Sequence, residues 1–293
     1  MSPVSKRGRR GTPGSEGRAR GRARSQSPFA PSLSKGERAV RPRLLVVAGL
    51  DPSGGAGLVA DLEAARAAGA EPYLVAAALT AQGPRGARRY APAAGDFLLD
   101  EIDALLDGAE EAALPRAVKT GMLATGELAV TLALRLARRP LDEIPLVVDP
   151  VLGATSGGPL FDPGPMSVGA ALEPLLRRAR LVTPNLPELA AMTGLDVSTD
   201  EGAVRAAREL PAEAVLVKGG HRDGPPVDLL VEPGSVIRFE GKRRAGTARG
   251  TGCRLASAIA ARLAVGEPLE AAVRAAKRLV ERYLDAAARP SSP

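Results

Sequence analysis

A single cysteine stands in a glycine-rich segment just ahead of an apolar, alanine-rich run. It is Cys253, within the stretch RGTGCRLA at 249–256. Gly250 and Gly252 permit positive φ, so successive amides can point into one concavity, and the helix expected next adds its partial positive charge. These features predict an anion hole suited to a transferring γ-phosphate, with a lowered pKa for the thiol. The alternative is a buried, inert cysteine.

Carboxylate and amide side chains follow two other apolar runs. Asp149 ends one of them, and Asn185 and Glu188 lie just beyond the next. Mg²⁺ uses few protein oxygens and keeps several waters, so these three side chains are candidates to hold it, mainly through water. The Asn-x-x-Glu spacing equally fits a helix capping box, and both interpretations stay open. Lys119 and Lys218 end neighbouring runs and could contact phosphate, although lone lysines are more often surface residues.

A glycine-rich turn also follows the first apolar run, as DPSGGAG at 51–57. It matches neither the G-x-G-x-x-G pattern nor a P-loop, because no Gly-Lys-Ser/Thr follows. Its glycines would let a small ligand lie against the backbone. The alternative is a tight turn between a strand and a helix.

The elements that must position these residues alternate between strand and helix. Short apolar runs predict buried strands at 44–48, 73–79, 117–119, 145–151, 179–185 and 214–220. Periodic segments predict helices at 57–70, 97–108, 126–139, 253–266 and 269–287, and residues 228–240 predict a hairpin around Pro233-Gly234. Such alternation predicts a mainly parallel sheet covered on both faces. Because ligands gather at the carboxyl ends of parallel strands, the unusual motifs should meet at one edge.

Composition narrows the class of protein. The core must be built from Ala, Val and Leu, because aromatic residues make up 2% of the chain and Trp is absent. One cysteine excludes an intramolecular disulfide framework, and one histidine argues against a His-based zinc site. No apolar run approaches the roughly 18 residues of a membrane span, and we find no secretory signal peptide. The expected location is the cytoplasm.

Basic charge is concentrated at the N-terminus. Residues 1–43 carry twelve Lys and Arg against two Glu, whereas the rest carries 28 basic and 31 acidic side chains. This Arg-, Gly-, Ser- and Pro-rich segment has little to bury, so we predict a disordered tail over 1–43, a folded domain over 44–288 and a short tail over 289–293. The first tail is either a solvated or spurious extension upstream of the true start, which we favour, or an arm that binds nucleic acid.

Six motifs in order resemble one family, the hydroxymethylpyrimidine/phosphomethylpyrimidine kinases of thiamine biosynthesis, within the ribokinase-like fold. They are AGLDPSGGAGLVADLEAARAAGA, AVKTGMLAT, VVDPVLGATSGGPLF, LVTPNLPELAAMTG, VLVKGGH and GTGC. The similarity runs from about residue 44 to residue 284. The resemblance implies a single three-layer α/β/α domain with a mainly parallel central sheet, and a homodimer.

The resemblance also implies two successive ATP- and Mg²⁺-dependent phosphorylations. The hydroxymethyl group of 4-amino-5-hydroxymethyl-2-methylpyrimidine is phosphorylated first, and the monophosphate then becomes the diphosphate. Gln82 would hydrogen-bond the pyrimidine. Met122 and the DPSGGAG turn, including Asp51 and Gly55, would help to shape its pocket.

On the phosphate side, the resemblance assigns Cys253 to the place where sugar kinases of this fold carry an aspartate base. It would act as the base or as a member of the anion hole with Gly250 and Gly252. A base is needed more for the neutral alcohol, so Cys253→Ala is expected to slow the first phosphorylation more than the second. The residues implied to bind metal, nucleotide or phosphate are Asp149, Thr183, Asn185, Glu188, Lys218 and Thr251.

Two segments depart from the family's pattern. The family usually reads Gln-Asn-Thr after its second strand, where this chain has Gln82-Gly83-Pro84. It usually reads His-Gly-Thr-Gly-Cys-Thr at the anion hole, where this chain places Arg249 before Gly250 and Arg254 after Cys253. Three alternative roles are open for the two arginines. They would strengthen phosphate binding through their charge, crowd the nucleotide, or point to solvent.

These departures leave other hypotheses open beside the pyrimidine kinase. One is a pyridoxal-type vitamin kinase on the same fold, which turnover of pyridoxal but not of the pyrimidine would favour. Another is a catalytically lapsed relative that binds nucleic acid through its basic tail. Salt-sensitive RNA or DNA binding, lost on deletion of residues 1–43 and without kinase activity, would favour it. We prefer the pyrimidine kinase, with small-molecule partners and no membrane or nucleic-acid partner.

Overall fold

A computed structural model describes residues 41–83, 86–154, 157–220, 225–242 and 248–288. Most of the predicted N-terminal tail, residues 1–40, therefore lies outside the described residues. The same is true of Pro84, His221 and the predicted tail 289–293.

A nine-stranded sheet runs through the centre of the described chain. Its strands are β1 (Arg43–Leu50), β2 (Glu71–Gly83), β3 (Gly86–Pro92), β4 (Pro115–Thr120), β6 (Leu146–Val148), β8 (Leu181–Val182), β9 (Val215–Val217), β10 (Val227–Glu232) and β11 (Ser235–Glu240). Their spatial order is β11-β10-β9-β8-β6-β4-β1-β2-β3. The six strands from β9 to β2 pair in parallel, and antiparallel strands lie at both edges. A separate two-stranded sheet joins β5 (Ala124–Thr125) to β7 (Phe161–Asp162).

Helices cover both faces of the sheet. They are α1 (Gly57–Ala67), α2 (Gly95–Leu106), α3 (Gly126–Leu136), α4 (Val168–Leu176), α5 (Leu186–Thr193), α6 (Asp200–Glu209), α7 (Thr251–Val265) and α8 (Leu269–Ala287). Helices α2 to α6 share one apolar core with Leu45 and Val47. Because successive strand residues point to opposite faces, the buried Leu44 and Val46 face the layer formed by α1, α7 and α8. The predicted three-layer α/β/α architecture is confirmed.

The predicted strands and helices are present, with shifted ends. The runs 145–151 and 179–185 shorten to β6 and β8, since Pro150 and Pro184 lack the amide that a ladder needs. The hairpin around Pro233-Gly234 is confirmed, as β10 pairs with β11 in antiparallel. Strands β3, β5 and β7 and helices α4 and α6 were not predicted, and of α5 only the possible capping box at its start was indicated.

Backbone hydrogen bonds continue beyond the strand ends and align the loops of the site. The amide of Gly121 donates to Val47 O at 2.9 Å, and the amide of Asp149 donates to Thr120 O at 2.9 Å. Thr183 N donates to Val148 O at 2.9 Å, and Lys218 N donates to Pro184 O at 2.8 Å. The polar residues that end neighbouring strands are therefore held side by side at one edge of the sheet. None of the helices described is long and apolar enough to cross a membrane.

Candidate active site

The loop between β1 and α1 is organised by Asp51. Its carboxylate is 2% exposed and accepts hydrogen bonds from Ser53 N (2.9 Å), Ser53 Oγ (2.7 Å) and Ala56 N (3.1 Å). Gly57, at φ 58, ends the loop, and a Cβ there would lie 2.2 Å from Gly49 O. The motif therefore forms a tight strand–helix turn, and Asp51 lines a pocket as well.

The second loop leads into α7. Gly250 is its N-cap residue at φ 70, and a Cβ there would lie 2.3 Å from Gly55 O. The two glycine-rich loops thus touch backbone to backbone, which only glycine allows. Gly252 lies inside the helix and not at positive φ, so that part of the prediction is wrong. Its small size leaves room for the Lys218 ammonium, 3.2 Å from where a Cβ would stand.

Cys253 is the third residue of α7, at the predicted helix N-terminus. No described side chain caps this end, so the first amides of the helix remain available to an anion. Thr251 is the first helical residue and is half-buried. The start of α7 is thus uncapped by any described side chain, with the Cys253 sulfur beside it.

The expected lowered pKa of the thiol is wrong. Burial raises the pKa of the Cys253 thiol to about 11, while the Lys119 ammonium and a hydrogen bond from the Gly57 amide act in the opposite direction. Loss of water around the sulfur outweighs the helix terminus and the nearby cation. The thiol therefore keeps its proton at neutral pH.

Lys119 is a buried residue of the site and not a surface lysine. Its Nζ lies 2.8 Å from Asp61 Oδ1, and both side chains are 0% exposed. Ser257 Oγ donates to the same carboxylate oxygen at 2.7 Å. Burial alone would lower the pKa of Lys119, but the facing Asp61 carboxylate outweighs it and raises the pKa. A permanent positive charge therefore lies beneath the pocket, beside Cys253.

Lys218 stands between two carboxylates, one just after β6 and the other in the first turn of α5. Its Nζ lies 2.9 Å from Asp149 Oδ1 and 3.8 Å from Glu188 Oε2, and Thr183 Oγ1 donates to Asp149 Oδ1 at 3.0 Å. Burial opposes ionisation of Asp149, but the Lys218 and Lys119 ammonium groups lower its pKa. Burial likewise opposes the charge on Lys218, yet the two carboxylates raise its pKa. The predicted residues Asp149, Thr183, Glu188 and Lys218 thus form one charged cluster.

Asn185 and Glu188 form the predicted capping box at the start of α5. The Glu188 amide donates to Asn185 Oδ1 and the Asn185 amide donates to Glu188 Oε2, both at 2.8 Å. The same Glu188 carboxylate faces Lys218, and burial raises its pKa. Glu188 therefore does cap α5, and its carboxylate still faces Lys218 in the site. No group of three His, Cys, Asp or Glu in the described chain forms a complete metal cage.

One pocket is lined both by Lys119 and Cys253 and by the residues predicted to bind the substrate. It holds about 330 Å³ of empty space, part of it open to solvent. The residues that line it include Asp51, Thr80, Gln82, Lys119, Met122 and Cys253. Met122 is buried, and its sulfur would lie 2.7 Å from a Cβ on Gly49, so Gly49 leaves space for it. Gly55 does not line the pocket and instead meets the loop before α7.

The two arginines beside the anion hole neither enter it nor point to solvent. Arg249 Nη2 donates to Asp51 Oδ2 at 2.8 Å, and its Nη1 donates to Ser53 Oγ at 2.9 Å. Arg254 is 3% exposed and lies 4.0 Å above the Tyr283 ring, with its Nη2 2.7 Å from Glu63 Oε2. Both arginines therefore connect secondary-structure elements and do not simply point to solvent, while their effect on phosphate or nucleotide binding stays a prediction.

Four side chains that contact residues of the site could not be predicted from the sequence. Asp61 and Ser257 lie within the apolar faces of α1 and α7, and both are fully buried. A charged residue at a core position of a helical pattern is the one clue the sequence offers, since an unpaired carboxylate is rarely buried. Glu63 and Tyr283 carried no such clue, because exposed helical positions commonly hold these residue types.

Known proteins resemble this chain over most of its length. The phosphomethylpyrimidine kinase family matches residues 51–292. A thiamine biosynthesis bifunctional protein from Geobacter sulfurreducens is 41% identical over 261 residues, which is 86% of this chain and 50% of that protein, so the chain spans about half of that relative. The crystal structure of phosphomethylpyrimidine kinase from Clostridium difficile is 32% identical with a TM-score of 0.68, covering 85% of this chain and 100% of that one.

A vitamin kinase of different substrate is also similar in structure. Pyridoxal kinase from Staphylococcus aureus, in complex with pyridoxal, has a TM-score of 0.72 and 27% identity, covering 84% of this chain and 88% of that one. The family match over residues 51–292 is nevertheless to the pyrimidine enzymes, and it contains all of the loops described above. The chain belongs to the phosphomethylpyrimidine kinase family.

Proposed function

We propose that this chain transfers the γ-phosphoryl group of ATP to two successive pyrimidine substrates. The first is 4-amino-5-hydroxymethyl-2-methylpyrimidine, and the second is its monophosphate, which becomes the diphosphate used in thiamine biosynthesis. One observation carries the proposal. The pocket that contains Gln82 is also lined by Cys253, so a small ring bound there would present its substituent to the N-terminus of α7.

The substrate side of this pocket suits a flat, polar ring. Gln82 offers one acceptor and two donors to ring nitrogens and an amino group. Met122 supplies an adaptable apolar wall, and Thr80 Oγ1, which donates to Leu50 O at 2.9 Å, helps to fix the strand that carries Gln82. A ring held between them would have its orientation set by polar contacts and its faces covered by apolar ones.

The phosphate side suits a group that gains negative charge during transfer. The free amides at the start of α7 and the Lys218 ammonium converge on the same region, since Nζ lies 3.2 Å from the Cβ position of Gly252. Phosphoryl transfer requires mainly positioning and charge stabilisation, and preorganised donors supply both. Thr183 and Thr251 support this surface, the first by holding Asp149 and the second by beginning the helix.

We assign Cys253 to the anion hole and not to proton transfer. A thiol whose pKa is raised to about 11 is protonated at neutral pH, so it is a weak hydrogen-bond donor and not a resting base. Its position at the third residue of α7 places that donor beside the free amides. Both phosphorylations then use Cys253 in the same way.

The carboxylates near Lys218 fit a magnesium ion bound mainly through water. Asp149 and Glu188 provide two oxygen-donor side chains on one side of the phosphate region, in keeping with the few protein ligands that Mg²⁺ usually takes. Asn185 holds Glu188 in place through the capping box. When bound with ATP, Mg²⁺ would neutralise phosphate charge, while Lys218 orients the two carboxylates.

A pyridoxal kinase is the second candidate, favoured by the structural similarity to the S. aureus enzyme. The two candidates separate in one competition experiment with equal concentrations of the pyrimidine alcohol and pyridoxal. We expect the phosphorylated pyrimidine to be the main product by mass spectrometry. Phosphorylated pyridoxal alone would overturn the proposal.

We also propose that the chain forms a homodimer and is located in the cytoplasm, as the family resemblance implies. Sedimentation would test the first and cell fractionation the second.

A further inference from the structure

The loop at 51–56 and the segment at 249–254 are joined by side chains as well as by backbone. Arg249 bonds to Asp51 and Ser53 at 2.8 and 2.9 Å, and Arg254 Nη1 donates to Gly55 O at 3.1 Å. These contacts link the loop that supplies Asp51 to the pocket with the segment that begins α7. We call this set of contacts the loop clamp.

Asp51 is paired with a cation through this clamp. Its carboxylate is 2% exposed, and Arg249 is the cation that pairs with it among the described residues. A buried carboxylate that loses its partner is left with an uncompensated charge, which favours opening of the structure around it. Because Asp51 also accepts the amides of Ser53 and Ala56, opening would release the whole loop.

The clamp is held from behind by α8 and α1. Tyr283 Oη donates to Arg249 O at 3.3 Å, and the Arg254 guanidinium lies 4.0 Å above the Tyr283 ring. Glu63 of α1 pairs with the same guanidinium at 2.7 Å. Both arginines are thus oriented before any substrate binds, so their contacts cost little additional ordering on binding.

We propose that Arg249 is a positioning residue that sets the pyrimidine loop and the phosphate loop as one unit. The kinetic consequence of this inference rests on the proposed function. The contacts of the loop clamp do not depend on it. Arg249 does not itself line the pocket, and it acts through its contact with Asp51 and its chain neighbour Gly250. The planar guanidinium serves two acceptors at once, so Lys would keep the charge but not the geometry.

The first test needs no substrate. Hydrogen–deuterium exchange would be compared in the full chain, in Arg249→Gln and in the control Arg278→Gln, which changes an exposed arginine of α8. We expect Arg249→Gln to increase exchange in residues 51–56 and 250–253 together, whereas the control matches the full chain. Faster exchange in one of the two segments alone, or in neither, would overturn the inference.

The second test is kinetic and uses both pyrimidine substrates. We expect Arg249→Gln to raise KM for the pyrimidine and to lower kcat, each by roughly tenfold or more, with KM for ATP nearly unchanged and Arg249→Lys only partly restoring both. A Ser53→Ala change should lower activity in the full chain, but it should lower activity little further when added to Arg249→Gln.

Kinetics of Arg249→Gln equal to those of Arg278→Gln would overturn the inference. Absence of pyrimidine turnover in the full chain would instead overturn the proposed function, leaving the exchange experiment to judge the clamp.

Discussion

The ammonium of Lys119 and the carboxylate of Asp61 form an ion pair with no exposed surface. Nζ and Oδ1 are 2.8 Å apart, each side chain is 0% exposed, and Ser257 adds a hydrogen bond of 2.7 Å to the same oxygen. The pair lies between the central sheet and α1 and α7, directly under the pocket that Cys253 lines. A buried pair in this place supplies a fixed charge to the site at a cost in desolvation.

Replacing Lys119 by Met should destabilise the protein strongly, because Asp61 would be left buried without its cation. The expected loss is about 3–5 kcal/mol in the free energy of unfolding. Denaturant unfolding of the purified variant measures it.

The double variant Lys119→Met with Asp61→Leu separates stability from function. It removes both charges, so most of the stability should return, while kcat should stay low because the charge beside Cys253 is gone. Recovery of both stability and activity would show that the pair serves folding alone.

Gly250 should tolerate no side chain, and Gly234 provides a matched control. Both have positive φ, 70 and 81, but a Cβ on Gly250 meets Gly55 O at 2.3 Å whereas one on Gly234 meets nothing within 4 Å. Each alanine variant carries the left-handed cost of roughly 1–2 kcal/mol. Only Gly250→Ala should also displace the two loops and lower kcat by about 100-fold or more. Equal kcat in the two variants would contradict the close contact between the loops.

The strand ends were the part of the site that the sequence predicted well. Glycines, prolines and polar residues after apolar runs mark the carboxyl ends of parallel strands, and Asp149, Thr183 and Lys218 do lie together there. Helix α4 and the length of α5 were missed because their turn signals resemble those of loops, whereas the buried face of α6 holds only small residues and is hard to recognise as apolar. Pro174 lies inside α4, and α5 spans eight residues. Neither segment carries enough periodicity to be distinguished from a connection.

Glu188→Gln should separate the capping role of this residue from its charge. Glutamine can still accept the Asn185 amide, so the capping box and the thermal midpoint should be preserved. Loss of the carboxylate should raise the Mg²⁺ concentration for half-maximal activity by roughly 10- to 100-fold. An unchanged Mg²⁺ requirement, measured by titration at saturating ATP, would limit Glu188 to the capping box.

Cys253 should titrate well above neutral pH. Because the chain has one cysteine but three tyrosines that also ionise at high pH, the thiolate is followed as the difference in absorbance near 240 nm between the full chain and Cys253→Ala. Burial raises the pKa of the folded thiol to about 11, so the thiolate should be absent at pH 8 and appear as the pH approaches that value. Urea unfolding should bring the titration down towards the pKa of an exposed thiol, about 8.5. A folded titration midpoint below pH 8 would contradict the burial of the sulfur.

Cys253→Ala should slow both phosphorylations by a similar factor, since we assign the thiol to the anion hole. The expected loss is no more than about 100-fold, because the backbone amides remain and a thiol is a weak donor. Steady-state rates with the alcohol and with the monophosphate provide the comparison. A loss confined to the alcohol would instead support the base role that the family resemblance left open.

The contacts that surround individual side chains could not be predicted from the sequence. A helix N-terminus predicts a lowered pKa for a thiol, but the packing of Cys253 against Lys119, Asp61 and the Gly57 amide decides the outcome. Likewise, two arginines beside a glycine turn suggest phosphate binding, whereas Arg249 turns to Asp51. These results depend on contacts between residues far apart in the chain, 198 positions for Arg249 and Asp51, which no local pattern encodes.

The stoichiometry of ADP release tests the central claim most directly. The purified chain would be mixed with Mg·ATP and a limiting amount of 4-amino-5-hydroxymethyl-2-methylpyrimidine, and the products would be identified by mass spectrometry. We predict two ADP per pyrimidine, with the monophosphate as a transient and the diphosphate as the final product. No ADP release with either the alcohol or its monophosphate, under conditions in which pyridoxal is phosphorylated, would contradict the proposed function.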